Sequence, residues 1–119
     1  MTKVKSAAAA CCLPALHTVA TPAAAEELAA AFKAIADPAR LRLLSFIAGQ
    51  ADGEACVCHL TQPLGLSQPT VSHHLKVLHD AGLLARERRG TWMFYRIVRA
   101  RVAALRTALA LPASPNACR

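Results

Sequence analysis

Three features of the 119-residue sequence predict a mainly α-helical domain carrying one β-hairpin. Apolar residues recur at helical spacing through most of the chain, and a tight turn at Gly65 joins a short helix to a longer amphipathic one. Two β-rich runs then flank Arg89-Gly90. A helix pair with a tight turn, followed by such a hairpin, is a winged helix-turn-helix, and a dimer is expected. The domain spans residues 23–111, between an Ala/Pro/Thr-rich arm (1–22) that carries Cys11 and Cys12 and a Pro-containing tail (112–119), both expected to be flexible.

Charge and composition narrow the function. The net charge is +7, and seven of the ten arginines fall between Arg86 and Arg106, so a concentrated basic surface for a polyanion is expected. With only five aromatic residues and abundant Ala, the helices should pack closely through small side chains and leave no large catalytic cavity. Every apolar run is interrupted before the ~18 residues a membrane helix needs. Five cysteines is an odd count, and the spacings Cys11-Cys12 and Cys56-x-Cys58 suit ligands better than structural disulfides. A reducing cytoplasm fits that usage. Lys3 and Lys5 before an Ala-rich run look like an export leader, but Pro14 and His17 break the apolar stretch.

Taken in order, Leu28, Phe32 and Ile35 mark a first helix over residues 24–36. Asp37-Pro38 supplies an N-cap and a first-turn proline for a second helix reaching Ala48, with Leu41, Leu44, Ile47 and Ala48 on its apolar face. After the loop 49–53, a short third helix is expected from Ala55 to Leu64, ending at Gly65, with Cys56 and Cys58 in its first turn.

Ser67 caps the fourth helix and Pro69 lies in its first turn, while Val71, His74, Leu75 and Leu78 form its buried face. Its other side carries Gln68, Thr70, Ser72, His73 and Lys76, short hydrogen-bonding groups suited, with Ser67, to base edges in a major groove. In the hairpin, Arg86, Arg88, Arg89 and Arg96 are candidate phosphate contacts, which give affinity and register rather than sequence discrimination. A last helix over residues 100–111 presents Val102, Leu105 and Leu109, and with the first helix serves either a dimer seam or the closure of the monomer core.

The runs F-K-A-I-A-D-P-A-R-L-R-L-L, C-V-C-H-L, G-L-S-Q-P-T-V-S-H-H-L-K-V-L-H-D-A-G-L-L and R-R-G-T-W-M-F-Y-R-I together resemble the ArsR/SmtB family of winged-helix metal-responsive repressors, over residues 26–110. The resemblance implies four helices, a hairpin wing and a fifth helix in a homodimer. It further implies that the apo form binds double-stranded palindromic operator DNA and that the metal releases it. A C-x-C pair is similar to the site of the arsenic-responsive and the cadmium/lead-responsive branches, and Cys56 and Cys58 match it. The family's zinc-type site uses Asp and His on the terminal helix, and residues 99–111 contain neither.

As(III) is soft and three-coordinate and takes three thiolates, whereas Cd(II) and Pb(II) accept three or four. Cys56 and Cys58 therefore need a third sulfur, expected from Cys11 or Cys12, while Cys118 in the tail has no assigned role. Residues i and i+2 of a helix point about 200° apart. On a helical reading, binding one ion through both cysteines would distort the third helix and shift its neighbour, and the helix N-terminus would favour their thiolates. As(III) is the expected inducer, with Sb(III) as a mimic; the motifs alone do not separate these from Cd(II), Pb(II) or Zn(II). Three other functions compete: a redox switch through Cys11, Cys12, Cys56 and Cys58, an architectural DNA binder, and a thiol enzyme using Cys58 with His59. The enzyme reading lacks a Gly-rich cofactor loop and a carboxylate to orient the His. Neither an organic cofactor nor a small-molecule substrate is expected.

Overall fold

The computed structural model describes residues 21–110, so the expected ligand role of Cys11 or Cys12, and Cys118 itself, lie outside the described residues. Helix α1 (Pro22–Ile35) starts where the Thr21 hydroxyl accepts a hydrogen bond from the Ala24 N–H at 3.1 Å, with Pro22 supplying a pre-set φ. Its most buried residues are Ala31 and Ala34, while Leu28, Phe32 and Ile35 are half-buried against the core. Small side chains thus bring α1 close to its neighbours, as the Ala-rich composition predicts.

Helix α2 (Pro38–Ala48) is capped by the Asp37 carboxylate, which accepts from the Ala39 and Arg40 N–H groups at 2.9 and 3.1 Å. Its buried line is Leu43 and Ile47, flanked by half-buried Leu44 and Phe46. The expected face is therefore rotated: Leu41 stands 51% exposed. The i, i+4 pair Leu43 and Ile47 wins because the sheet and the other helices meet α2 along that line.

The largest departure lies between α2 and the turn at Gly65. Residues expected to open a helix instead form strand β1 (Glu54–Cys56), then a single 3-10 turn (Val57–His59) and a one-turn helix α3 (Thr61–Leu64). Strand β1 pairs antiparallel with strand β3 (Trp92–Ile97), matching Glu54 to Arg96, Ala55 to Tyr95 and Cys56 to Phe94. So short a helical segment has little intrinsic stability, and ladder hydrogen bonds with burial of Ala55 outweigh it. The hairpin of β2 (Leu84–Arg89) and β3 is consequently part of a three-stranded sheet of order β1-β3-β2.

Gly65 ends α3 at φ 66°, a left-handed conformation that glycine adopts without the Cβ penalty. Ser67 then caps helix α4 (Gln68–Asp80), whose Val71, Leu75 and Leu78 are wholly buried. Helix α5 (Arg99–Leu109) contributes Leu105 and Ala108 to the interior, with Val102 half-buried; Leu109, expected on the same face, is 60% exposed. One apolar cluster joins residues of all these helices to Ala55, Leu84, Tyr95 and Ile97 of the sheet.

Strand alternation divides the sheet into two faces. Ala55, Leu84, Tyr95 and Ile97 point to the core, and Arg86 and Arg88 continue that face along the wing. Glu54, Cys56, Glu87, Arg89, Trp92 and Phe94 share the opposite face. This places a cysteine against the wing strand rather than on a helix.

Candidate thiol site and nucleic-acid interface

Cys56 ends β1 and Cys58 lies in the 3-10 turn that follows, so the two are not on one regular helix. Both line an open cavity of about 480 Å³, together with His59, Trp92 and Phe94. The Cys58 N–H donates to Cys56 Sγ at 3.4 Å. Cys56 is 3% exposed, whereas Cys58 is on the surface. Two thiols that share a cavity in the resting fold need no helix to unwind, so the expected conflict between i and i+2 side chains does not arise.

The electrostatics also differ from expectation. Hydrogen bonding to Cys56, reinforced by partial desolvation and by the charge of Cys56, pushes the Cys58 thiol above the usual cysteine range. The helix N-terminus expected to favour its thiolate is absent here. Among the described residues no group of three or more His, Cys, Asp and Glu side chains is placed to hold a metal ion. The cavity thus offers two sulfurs, with His59 beside them.

Across the outer face of the sheet, Arg89 donates to Glu54 at 3.1 and 2.9 Å and to Glu87 at 3.1 and 2.8 Å. Its guanidinium also lies 4.3 Å from the centroid of the Phe94 ring. Hydrogen bonding from Arg89 holds the Glu54 carboxyl below the usual range. Arg89, a candidate phosphate contact, is therefore tied to the thiol side of the wing. Arg86 and Arg88 are exposed on the other face and form no ion pair among the described residues, and Arg96 is likewise exposed without an ion pair.

On α4, Ser67, Gln68, Thr70, Ser72, His73 and Lys76 are all exposed. Ser67 is occupied locally, donating to Thr70 Oγ1 at 3.0 Å and accepting from the Thr70 N–H at 3.4 Å. Lys76 pairs with Asp80 at 2.8 Å, an exposed contact that a phosphate can displace. Gln68, Ser72 and His73 make no side-chain hydrogen bond among the described residues, which leaves them free to read a groove. His74, by contrast, is a packing residue: its Nδ1 lies 3.2 Å from Arg40, which also donates to the Ala34 carbonyl and so ties α1, α2 and α4 together.

Sequence reasoning missed Trp92 and Phe94 as walls of the thiol cavity, and Arg40 as an interhelix tie. No motif marks the first, because β1 is fixed by pairing with distant β3, and nothing in the spacing marks the second.

Comparison with known proteins places these features in a family. The model described as "Bacterial regulatory protein, arsR family" matches residues 37–86. The chain is 46% identical over 77 residues to an uncharacterized HTH-type transcriptional regulator of Methanocaldococcus jannaschii, covering 65% of this chain and 84% of that protein. It is 48% identical over 66 residues to the arsenic resistance transcriptional regulator ArsR1 of Pseudomonas putida, covering 56% of this chain but only 50% of the relative's length. Among solved structures, it resembles a homodimeric winged helix-turn-helix DNA-binding domain from Mycobacterium bovis, with a TM-score of 0.62, 30% identity, and coverage of 77% of this chain and 84% of that one. The AntR antimony-specific transcriptional repressor gives a TM-score of 0.62 at 34% identity, with 77% and 82% covered.

Proposed function

The chain belongs to the arsR family of bacterial transcriptional regulators, and from that premise we propose that it is an arsenite-responsive repressor, binding operator DNA as an apo homodimer in the cytoplasm. Cys56, Cys58 and one of Cys11 or Cys12 hold As(III), and Sb(III) substitutes for it; the antimony-specific and arsenic-resistance relatives support this chemistry. Helix α4 reads base edges through Gln68, Ser72 and His73, with Ser67, Thr70 and Lys76 around them, while Arg86 and Arg88 hold phosphates. Half-buried Leu28 on α1 and exposed Leu109 on α5 supply apolar surface for the dimer seam.

The observation that carries this reading is the shared cavity of Cys56 and Cys58, walled by Trp92 and Phe94 of β3. Release then works through the sheet. Closing the two sulfurs on one centre pulls the end of β1 against β3, and β3 is hydrogen-bonded to β2, which bears Arg86 and Arg88. A small shift there moves the wing relative to α4, and the half-site spacing of a dimer amplifies it.

Thiol chemistry favours arsenite over divalent metals. Arsenous acid condenses with neutral thiols, As(OH)₃ + 3 RSH → As(SR)₃ + 3 H₂O, and releases no proton. Cd(II) and Pb(II) must displace protons from the thiols they bind. A mobility-shift titration on the DNA upstream of the protein's own gene, run in parallel with As(III), Cd(II), Pb(II), Zn(II) and peroxide, tests the assignment. Release by arsenite supports it, and release by peroxide alone refutes it in favour of a redox switch.

A further inference from the structure

Among the described residues, one side-chain hydrogen bond reaches α4 from another element. Arg40 on α2 places its Nη1 3.2 Å from Nδ1 of His74, midway along α4. The same guanidinium donates from Nε to the Ala34 carbonyl near the end of α1, so a single planar group joins three helices. Arg42 donates to the Leu64 carbonyl at 3.4 Å and holds the turn before α4. The core attachment of α4 is apolar, through Val71, Leu75 and Leu78. Apolar packing is non-directional and sets how closely α4 lies, whereas a hydrogen bond fixes its rotation about its own axis. That rotation aims Ser72 and His73, exposed residues just before His74; the two imidazole rings lie 5.7 Å apart.

Resting on the assignment of α4 as the DNA-reading helix, we propose that Arg40 is a positioning residue for operator recognition and that it acts through neutral His74. A guanidinium only donates, so the bond requires a lone pair on Nδ1 and leaves the ring proton on Nε2. A second proton, taken up at Nδ1, removes the acceptor and sets two cations side by side. On α2 the other charged group is the Asp37 carboxylate, which feels the charge of His74 but already accepts from the Ala39 and Arg40 N–H groups. On α4 the neighbour is His73. Helix α1 presents the Ala34 carbonyl, while its Lys33 lines an open cavity farther along α4 with Val77 and Asp80. The turn 57–59 and β2 also touch α4, but Cys58 and His59 line the thiol cavity, Glu87 and Arg89 pair on the outer face of the sheet, and Arg86 and Arg88 are exposed on the wing. Protonation of His74 therefore frees α4 to turn. Sequence discrimination falls, while the phosphate contacts of the wing persist.

The test measures, for the full chain, the ratio of affinities for DNA upstream of its own gene and for scrambled DNA. It runs from about pH 8 to about pH 5.5, the interval in which histidine changes charge, and charge gained elsewhere on the surface largely cancels in the ratio. In the natural protein the ratio should fall about tenfold, the size expected for one hydrogen bond to a charged group. His74→Asn keeps a neutral acceptor near the place of Nδ1, so it should keep the high ratio of the upper pH and lose most of the fall. His73 is present in both proteins, so the difference belongs to His74. His74→Leu removes the acceptor, and Arg40→Lys keeps the charge but cannot span both acceptors; each should show the low ratio throughout. Their affinity for scrambled DNA should match that of the natural protein, which shows that they fold. Equal pH dependence in the natural and His74→Asn proteins, or a natural ratio for Arg40→Lys at the upper pH, overturns the proposal. Nitrogen NMR of the labelled imidazole separates the tie from the reading role of α4. His74 held as the Nε2–H tautomer in a protein that binds both DNAs alike leaves the tie standing and overturns α4 as the reader, whereas an Nδ1–H tautomer overturns the tie itself.

Discussion

Arg89, at the end of β2, donates two hydrogen bonds to Glu54 on β1, at 3.1 and 2.9 Å, reaching across the central strand of the wing sheet. Its neighbour on the same strand, Arg88, points to the opposite face and forms no ion pair among the described residues. Two adjacent arginines in the same basic run thus differ in their surroundings: Arg89 braces the sheet beside the thiols, and Arg88 stands exposed on the face for which a phosphate contact is proposed.

Arg88→Ala should therefore weaken binding to all sequences. It should also lower the slope of log affinity against log salt by about one for each phosphate no longer neutralised, or about two per dimer. Arg89→Ala should leave that slope nearly unchanged. Fluorescence anisotropy across a salt series distinguishes them, and equal slopes for the two variants would contradict the division of labour.

Sequence preference should reside in α4. Replacing Gln68 or Ser72 by Ala should cost about 1–3 kcal/mol on the preferred operator and much less on scrambled DNA, because a base contact discriminates where a phosphate contact does not. Competitive binding to a set of single-base operator variants gives the measurement.

The N-cap of α2 sets part of the acid stability. Hydrogen bonding from the Arg40 N–H, then from the Ala39 N–H, with help from the charges of Arg40 and His74, outweighs desolvation and holds the Asp37 carboxyl below the usual value of 3.8. A depressed folded pKa means that the unfolded chain takes up the proton first. Its stabilising contribution is complete above the unfolded value and is lost as pH falls through the folded one. Asp37→Asn keeps a capping side chain but removes the titration, so its Tm should depend less on pH below about 4 than that of the natural protein.

Metal competition should be pH-dependent in one direction only. Cd(II) binding displaces thiol protons and should strengthen up to about tenfold per pH unit for each proton released, between about pH 6 and 8. Arsenite, which releases water, should show nearly constant affinity over the same interval. Parallel slopes for the two would remove the chemical reason for preferring arsenite.

Much of the scaffold was legible in the sequence because its signals are local. Thr21, Asp37 and Ser67 cap helices through their own side chains, Gly65 takes the left-handed turn, and Val71, Leu75 and Leu78 repeat at helical spacing. The stretch around the cysteines was misread because its conformation is fixed from outside. Residues 54–56 become a strand only through pairing with residues 94–96, some 40 positions later, and nothing within the segment outweighs its helical appearance. Leu41 and Leu109 were misplaced for a related reason: periodicity gives an apolar face, but the neighbouring elements choose where along it the core begins. The C-x-C spacing singles out Cys56 and Cys58, and both line one cavity. Trp92 and Phe94, which complete their cavity, come from the wing and carry no motif.

The most direct test of the central claim compares arsenite titrations of operator complexes formed by the natural protein and by Cys58→Ser, followed by anisotropy. Cys58 is exposed, so its replacement leaves the core intact. The natural complex should dissociate as arsenite rises, while the Cys58→Ser complex forms with the same affinity and persists throughout. Dissociation of both at the same arsenite concentration would contradict the assignment of the Cys56/Cys58 cavity as the sensor.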